Sequence, residues 1–194
     1  MNTELEILRL IYLNEGIHVR EISRQLKIGM PSVKYALDKL ISKKLVLNKK
    51  DARNLKFYLN FKNNLLISYL YQIEYDRISK LPKLVQDSLF DLIKILEKKP
   101  ILVIIFGSYA NESYSNESDL DLLFVFNETD DEVEKKSEII GNRYNLNIQP
   151  IYLNFNEFNK NFFNEKDKFM KQIKENKIIM IGIELWVMME NERA

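Results

Sequence analysis

The chain has 194 residues, 46% of them apolar and 29% charged, enough of both for one large packed domain or two small ones. Its apolar runs fall far short of the roughly 20 residues a membrane helix needs, and the absence of cysteine excludes disulfides and thiolate metal sites and suits a reducing cytoplasm. The net charge of +1 conceals an asymmetry: residues 1–60 carry twelve Lys and Arg against six Asp and Glu, a net of +6, so a polyanion is expected to meet this head and not the acidic remainder.

The start, MNTELEILRL, mixes acids with its first apolar residues and has no basic leader, so no signal peptide is expected. Leu5, Ile7, Leu8, Leu10, Ile11 and Leu13 predict a helix that ends near Asn14-Glu15-Gly16. VREISRQL predicts a second helix with Val19, Ile22 and Leu26 inward. His18, the single histidine, falls in the loop before it and reads as a surface residue. KIGM predicts a tight turn with Gly29 at positive φ. Pro31-Ser32 then opens a third helix whose buried stripe is Val33, Ala36, Leu37, Leu40 and Ile41. LVLNKKDARNLKFYLN alternates about Asp51-Ala52-Arg53-Asn54, the pattern of a β-hairpin.

Helix, helix, glycine turn, helix and basic hairpin resemble the winged helix-turn-helix family of archaeal and bacterial regulators, over residues 1–60. The resemblance implies binding to double-stranded DNA. The third helix would present Ser32, Lys34, Tyr35, Asp38 and Lys39 to the major groove. The wing would carry Lys49, Lys50, Arg53 and Lys56 to phosphates, where counterion release drives association. The competing readings are a protein-binding module and, for any single lysine, simple solvation.

Residues 61–99 predict a helical connector of two helices separated by Pro82. Leu65, Leu66, Tyr69, Leu70 and Ile73 recur at helical spacing on one, and Leu84, Val85, Leu89, Leu92, Ile93 and Leu96 on the other. Both need a partner face, either the neighbouring domains or a second copy of the chain in a homodimer.

ILVIIF at 101–106 predicts a buried strand and Gly107-Ser108 a turn into a short helix over Tyr109–Ser113. Tyr114–Ser118 reads as a polar loop and DLDLLFVF as a second strand. Side chains alternate along a strand, so Asp119 and Asp121 share a face while Leu120 turns to the core. Paired carboxylates repel unless a cation lies between them, and hard divalent cations take such oxygen ligands. Glycine lets backbone approach a phosphate, and exposed N–H groups with the Ser108 hydroxyl offer an anion cradle. Together these suit in-line displacement at phosphorus.

Gly-Ser, ten residues, then Asp-x-Asp resembles the DNA polymerase beta-like nucleotidyltransferases in their minimal form, including those paired with HEPN toxins, over residues 100–194. The resemblance implies transfer of a nucleoside monophosphate from an NTP such as ATP to a hydroxyl. Ser108, Asp119 and Asp121 would be catalytic, Gly107 and Ser108 would bind the nucleotide, and Asp119 and Asp121 would hold Mg2+ or Mn2+. It also leaves open an antitoxin-like role with a toxin protein as partner.

Two departures stand out. The family's third carboxylate lies on the next strand, where NLNIQPIYL offers Asn147, Gln149 and Ile151, none acidic. Glu157 lies beyond that strand. Related loops read Gly-Ser-x-Ala-Arg-Gly; here Asn111 replaces the arginine, forfeiting a contact to triphosphate of about 1.5–3 kcal/mol. A degenerate, nucleotide-sensing transcription regulator is therefore the alternative to an active transferase. After Asn147 the sequence predicts a helix in DKFMKQIKEN, a turn at Asn176, an apolar run and a final helix with Trp186. The expected class is α+β: a winged-helix domain over 1–60, the helical connector over 61–99, and a small nucleotidyltransferase-like α/β domain with a mixed sheet over 100–194.

Overall fold

The computed structural model describes residues 3–51, 54–115, 117–128 and 132–193. The chain divides into two compact units, Met1–Ile73 and Glu74–Ala194. It is α+β, with a mixed four-stranded sheet in the second unit.

The first unit contains α1 (Thr3–Leu13), β1 (Ile17–His18), α2 (Val19–Leu26), α3 (Met30–Ser42), β2 (Val46–Asp51) and β3 (Asn54–Leu59), followed by α4 (Leu65–Ser79), which runs on past residue 73. Its core joins Leu5, Ile7, Leu8 and Ile11 of α1 to Ile22 of α2 and to Val33, Ala36, Leu37 and Leu40 of α3. Val19, Leu26 and Ile41 are only half-buried. The predicted positive φ falls two residues early. Gly29 has φ −62 and caps α3, whereas Lys27 is left-handed at φ 55 and closes α2 by donating its N–H to Ser23 O. The left-handed residue is needed where the helix ends, and α2 ends at Leu26. β1, not foreseen, makes the hairpin a three-stranded sheet of order β1-β3-β2, with Ile17 opposite Phe57. His18 lies in β1 and its Nδ1 donates to Leu55 O at 3.0 Å.

The second unit contains α5 (Lys83–Ile95), β4 (Leu102–Ile105), α6 (Gly107–Ala110), β5 (Leu120–Phe126), α7 (Val133–Tyr144), β6 (Ile148–Asn154), α8 (Phe155–Phe162), α9 (Lys168–Glu175), β7 (Ile178–Ile181) and α10 (Ile183–Arg193). The sheet order is β6-β5-β4-β7; β5 and β6 are parallel and the other pairs antiparallel. β6 is an edge strand, which is why it tolerates Pro150. One sheet face sets Leu120, Leu122, Phe124 and Phe126 with Val103 and Ile105 against Val85, Leu89 and Leu92 of α5 and Val133 and Ile140 of α7. Every β5 residue from Leu122 to Phe126 is at most 1% exposed. Each such side chain contributes about 1.5–3 kcal/mol by leaving water, and that burial fixes where Asp119 and Asp121 begin the strand. α8 packs against β5 and β6, with Phe162 edge-on to Trp186 at 5.2 Å.

Several expectations shift. α6 starts at Gly107 and spans four residues, not Tyr109–Ser113. Leu65 and Leu84, assigned to apolar stripes of the connector, are exposed. The sequence DDEVEKKSEIIGNRY predicts a helix over residues 130–144, of which Asp130 and Asp131 lie outside the described residues, as do Ala52 and Arg53 of the hairpin turn. No helix among the described residues is long and apolar enough to cross a membrane.

The second unit buries charge. Lys177 donates from Nζ to Lys174 O at 2.8 Å and lies 4.7 Å from the Trp186 ring centre. Burial pulls its pKa down to about 8, against the partial support of Glu190 and Glu74. Since the folded value lies below that of the unfolded chain, the cost of holding the charged form is full below pH 8 and relieved as pH rises toward 10.5. Relative to Lys177→Met, the wild type should therefore gain about 2 kcal/mol of stability between pH 7 and pH 9.5. Urea titrations of both proteins at the two pH values check this; parallel changes would refute it.

Candidate active site

The site is assembled at the ends of three neighbouring strands. β4 delivers Phe106, whose N–H donates to Asp121 O at 3.1 Å, and the chain then turns at Gly107 with φ +66. β5 begins just after Asp119, and β6 begins just after Asn147, whose carbonyl accepts from Leu120 N at 2.8 Å. Parallel register sets Asp121 opposite Gln149.

Gly107 is bare because Asp121 needs the space: a Cβ at 107 would stand 2.1 Å from Asp121 Oδ2. The Gly-Ser turn and Asp121 of the Asp-x-Asp pair are thus in direct apposition. Burial, and then the Asp119 charge, push the Asp121 carboxyl above the usual carboxylate range. Asp119 Oδ1 accepts from Asn147 Nδ2 at 2.7 Å, and Asn147 Oδ1 accepts from Gln149 Nε2 at 3.2 Å. Asn147 therefore offsets part of the repulsion by donating to Asp119, and Gln149 in turn donates to Asn147. No group of three or more His, Asp or Glu able to hold a metal occurs among the described residues. Two hard oxygen donors, one of them held above its ordinary pKa by burial and then by its neighbour's charge, nevertheless fit a single divalent cation.

The ten-residue spacing has a structural basis. Tyr109 of α6 stacks on Tyr114 with ring centres 4.6 Å apart, and Ser113 N donates to Ser108 O at 3.0 Å, folding the loop back on the turn. Ser118 Oγ accepts from Ser115 N at 2.8 Å and so supports the loop. Asn111 is exposed and caps α6. Glu112 follows at φ 58, the conformation that makes glycine the easier residue at that place in related loops. Glu157 is committed elsewhere: with Asn154 it forms the capping box of α8. A polar groove of about 430 Å3 lined by Glu117, Ser118, Gly141, Asn142, Asn145, Leu146 and Asn147 borders the site at Asn147.

In the first unit, Ser32, Lys34, Tyr35, Asp38 and Lys39 are all exposed on α3, and Lys39 Nζ sits 4.5 Å from the Tyr35 ring centre. Lys49 and Lys50 are exposed on β2. Lys56 lies across from Lys49 in register but pairs with Asp51 at 2.6 Å. Arg53 lies outside the described residues.

Sequence reasoning overlooked a buried pair on α4. Glu74 and Arg77 are 1% and 6% exposed, and Arg77 Nη1 lies 3.2 Å from Glu74 Oε2. Their i,i+3 spacing resembles any exposed helical ion pair, and only the tertiary fold reveals their burial.

Residues 89–181 match the family model of the nucleotidyltransferase domain, the stretch that holds the turn, both aspartates and the amides. Among solved structures, the chain is similar to the DNA complex of Lactococcus lactis ZitR (17% identity, TM-score 0.30, covering 50% of this chain and 73% of that one). It is also similar to a candidate nucleotidyltransferase from Sulfolobus solfataricus (23% identity, TM-score 0.29, 45% and 78%). At TM-scores this low, neither adds to the assignment. No curated protein matches the chain.

Proposed function

We propose that the second unit transfers a nucleoside monophosphate from an NTP to a hydroxyl acceptor, and that residues 1–60 form a winged helix that binds double-stranded DNA. The carrying observation is the apposition of Gly107 and Asp121, 2.1 Å from a virtual Cβ to Oδ2, with Asp119 beside it. Asp119 and Asp121 are the ligands for Mg2+ or Mn2+, and the bound cation supplies charge neutralisation for the phosphates. Backbone N–H groups at Gly107-Ser108 and the Ser108 hydroxyl orient the phosphate chain. The acceptor oxygen then bonds to the α-phosphorus, the bond to the bridging oxygen breaks, and pyrophosphate departs. Asn147 and Gln149 cannot take up the acceptor's proton, so it passes to solvent, which limits the rate.

That missing base favours a second reading, in which the unit senses Mg-NTP and regulates DNA binding without turnover. Labelled NTP, Mg2+ and hydroxyl-bearing acceptors distinguish the two. Labelled product supports transfer, Mg-dependent nucleotide binding without product supports sensing, and neither would remove both. On the DNA side, Lys49→Ala/Lys50→Ala should lower the salt slope of duplex binding by about 2. An unchanged slope removes the wing from the interface.

A further inference from the structure

The Gly107–Ala110 turn is short, and the carbonyls of Gly107, Ser108 and Tyr109 accept from the N–H groups of Asn111, Ser113 and Glu112. The carbonyl of Ala110 is met from α4. Arg77 Nη2 donates to Ala110 O at 3.3 Å, while Nη1 donates to Lys177 O, the residue before β7, and pairs with Glu74. β7 in turn pairs with β4 at Ile105↔Ile178. One planar guanidinium thus ties the end of the turn to the strand flanking it, and a buried carboxylate fixes that guanidinium. A lysine cannot span the same set of acceptors. Ala110 and Tyr109 are buried, so water is a poor substitute donor at this carbonyl.

We infer that Arg77, oriented by Glu74, is a positioning residue that holds the Gly107–Ala110 turn in the shape required to receive phosphate. The inference rests on the nucleotidyltransferase reading for its ligand, but its geometry can be tested apart from it.

Removing one partner alone leaves a buried charge and threatens the fold, whereas replacing both by apolar residues of similar volume is often neutral. The test therefore compares wild type, Glu74→Leu/Arg77→Met and Arg77→Lys by urea unfolding, by amide exchange and by Mg-ATP calorimetry. The informative amides are Asn111, which donates to Gly107 O, and Ser113, which donates to Ser108 O. The double variant should unfold near the wild-type midpoint, exchange these two amides at least about tenfold faster with β5 amides unchanged, and bind Mg-ATP about tenfold more weakly. A purely structural pair would restore all three with stability. Arg77→Lys carries the same local readouts if the double variant loses its fold. Unchanged exchange at 111 and 113 overturns the inference. Faster exchange in a protein whose wild type binds no Mg-ATP upholds the positioning role and instead defeats the transferase reading.

Discussion

Asp119→Asn/Asp121→Asn should lose Mg-dependent nucleotide binding and at least about 10³-fold of any transfer activity, while the metal-free protein becomes more stable. The two effects have one cause. The carboxylates are held beside each other and beside a backbone turn, and both burial and mutual charge disfavour ionisation of Asp121. Without a cation that arrangement is a cost. Neutral amides of the same shape remove it, and the metal-free stability should rise. With a cation the sign reverses. A ligand at a hundred times its dissociation constant adds about 2.7 kcal/mol to the wild type, and the variant forgoes that gain. Thermal unfolding with and without Mg2+ and an NTP therefore yields crossed results: variant above wild type when metal-free, below it when loaded. If both proteins shift equally on adding Mg-NTP, the nucleotide binds elsewhere and the candidate site is misplaced.

The part of the site visible in sequence was the part made by neighbours along the chain. Asp119 and Asp121 alternate with buried Leu120 and Leu122, so strand period alone puts both acids on one face. Gly107-Ser108 follows a run too apolar to be anything but interior. What the sequence hid came from distant pairing. β1 is two residues long, too short for any periodicity, and exists because Phe57 lies opposite Ile17 some forty residues on. Arg77 meets Ala110 and Lys177 across separations of 33 and 100 residues. The amides were legible as neutral residues in register with the acids, but their direction was not: Asn147 gives its N–H2 to Asp119 and keeps its oxygen for Gln149. No element was predicted over Phe155–Phe162, although Asn154 and Glu157 spell a helix start at the right spacing. Glu157, which the sequence places beyond the strand that would carry a third acid, accepts from Asn154 N and so caps α8.

Gly107→Ala isolates the apposition of turn and carboxylate, and it should damage both stability and the site. Two costs add. An alanine at φ +66 is strained by about 1–2 kcal/mol whatever surrounds it. Its Cβ would also occupy the place of Asp121 Oδ2, 2.1 Å away. Asp121 has one short side chain with which to yield, and if it rotates aside its carboxylate leaves the position facing Asp119. If it stays, the turn must open and Ser108 moves instead. Either way a displacement of about 1 Å falls on groups that must meet one phosphate chain, an error that costs about 10²-fold in rate. The expected result is a stability loss of about 1–3 kcal/mol with Mg-NTP affinity reduced beyond what unfolding explains. Gly29→Ala is the matched control. Its φ is −62 and the nearest atom to a new Cβ is Pro31 Cδ at 3.6 Å, so it should cost about 1 kcal/mol or less through the weaker helix cap and leave nucleotide binding intact. Should Gly107→Ala bind Mg-NTP as the wild type does, the close contact between the turn and Asp121 has no part in holding the nucleotide.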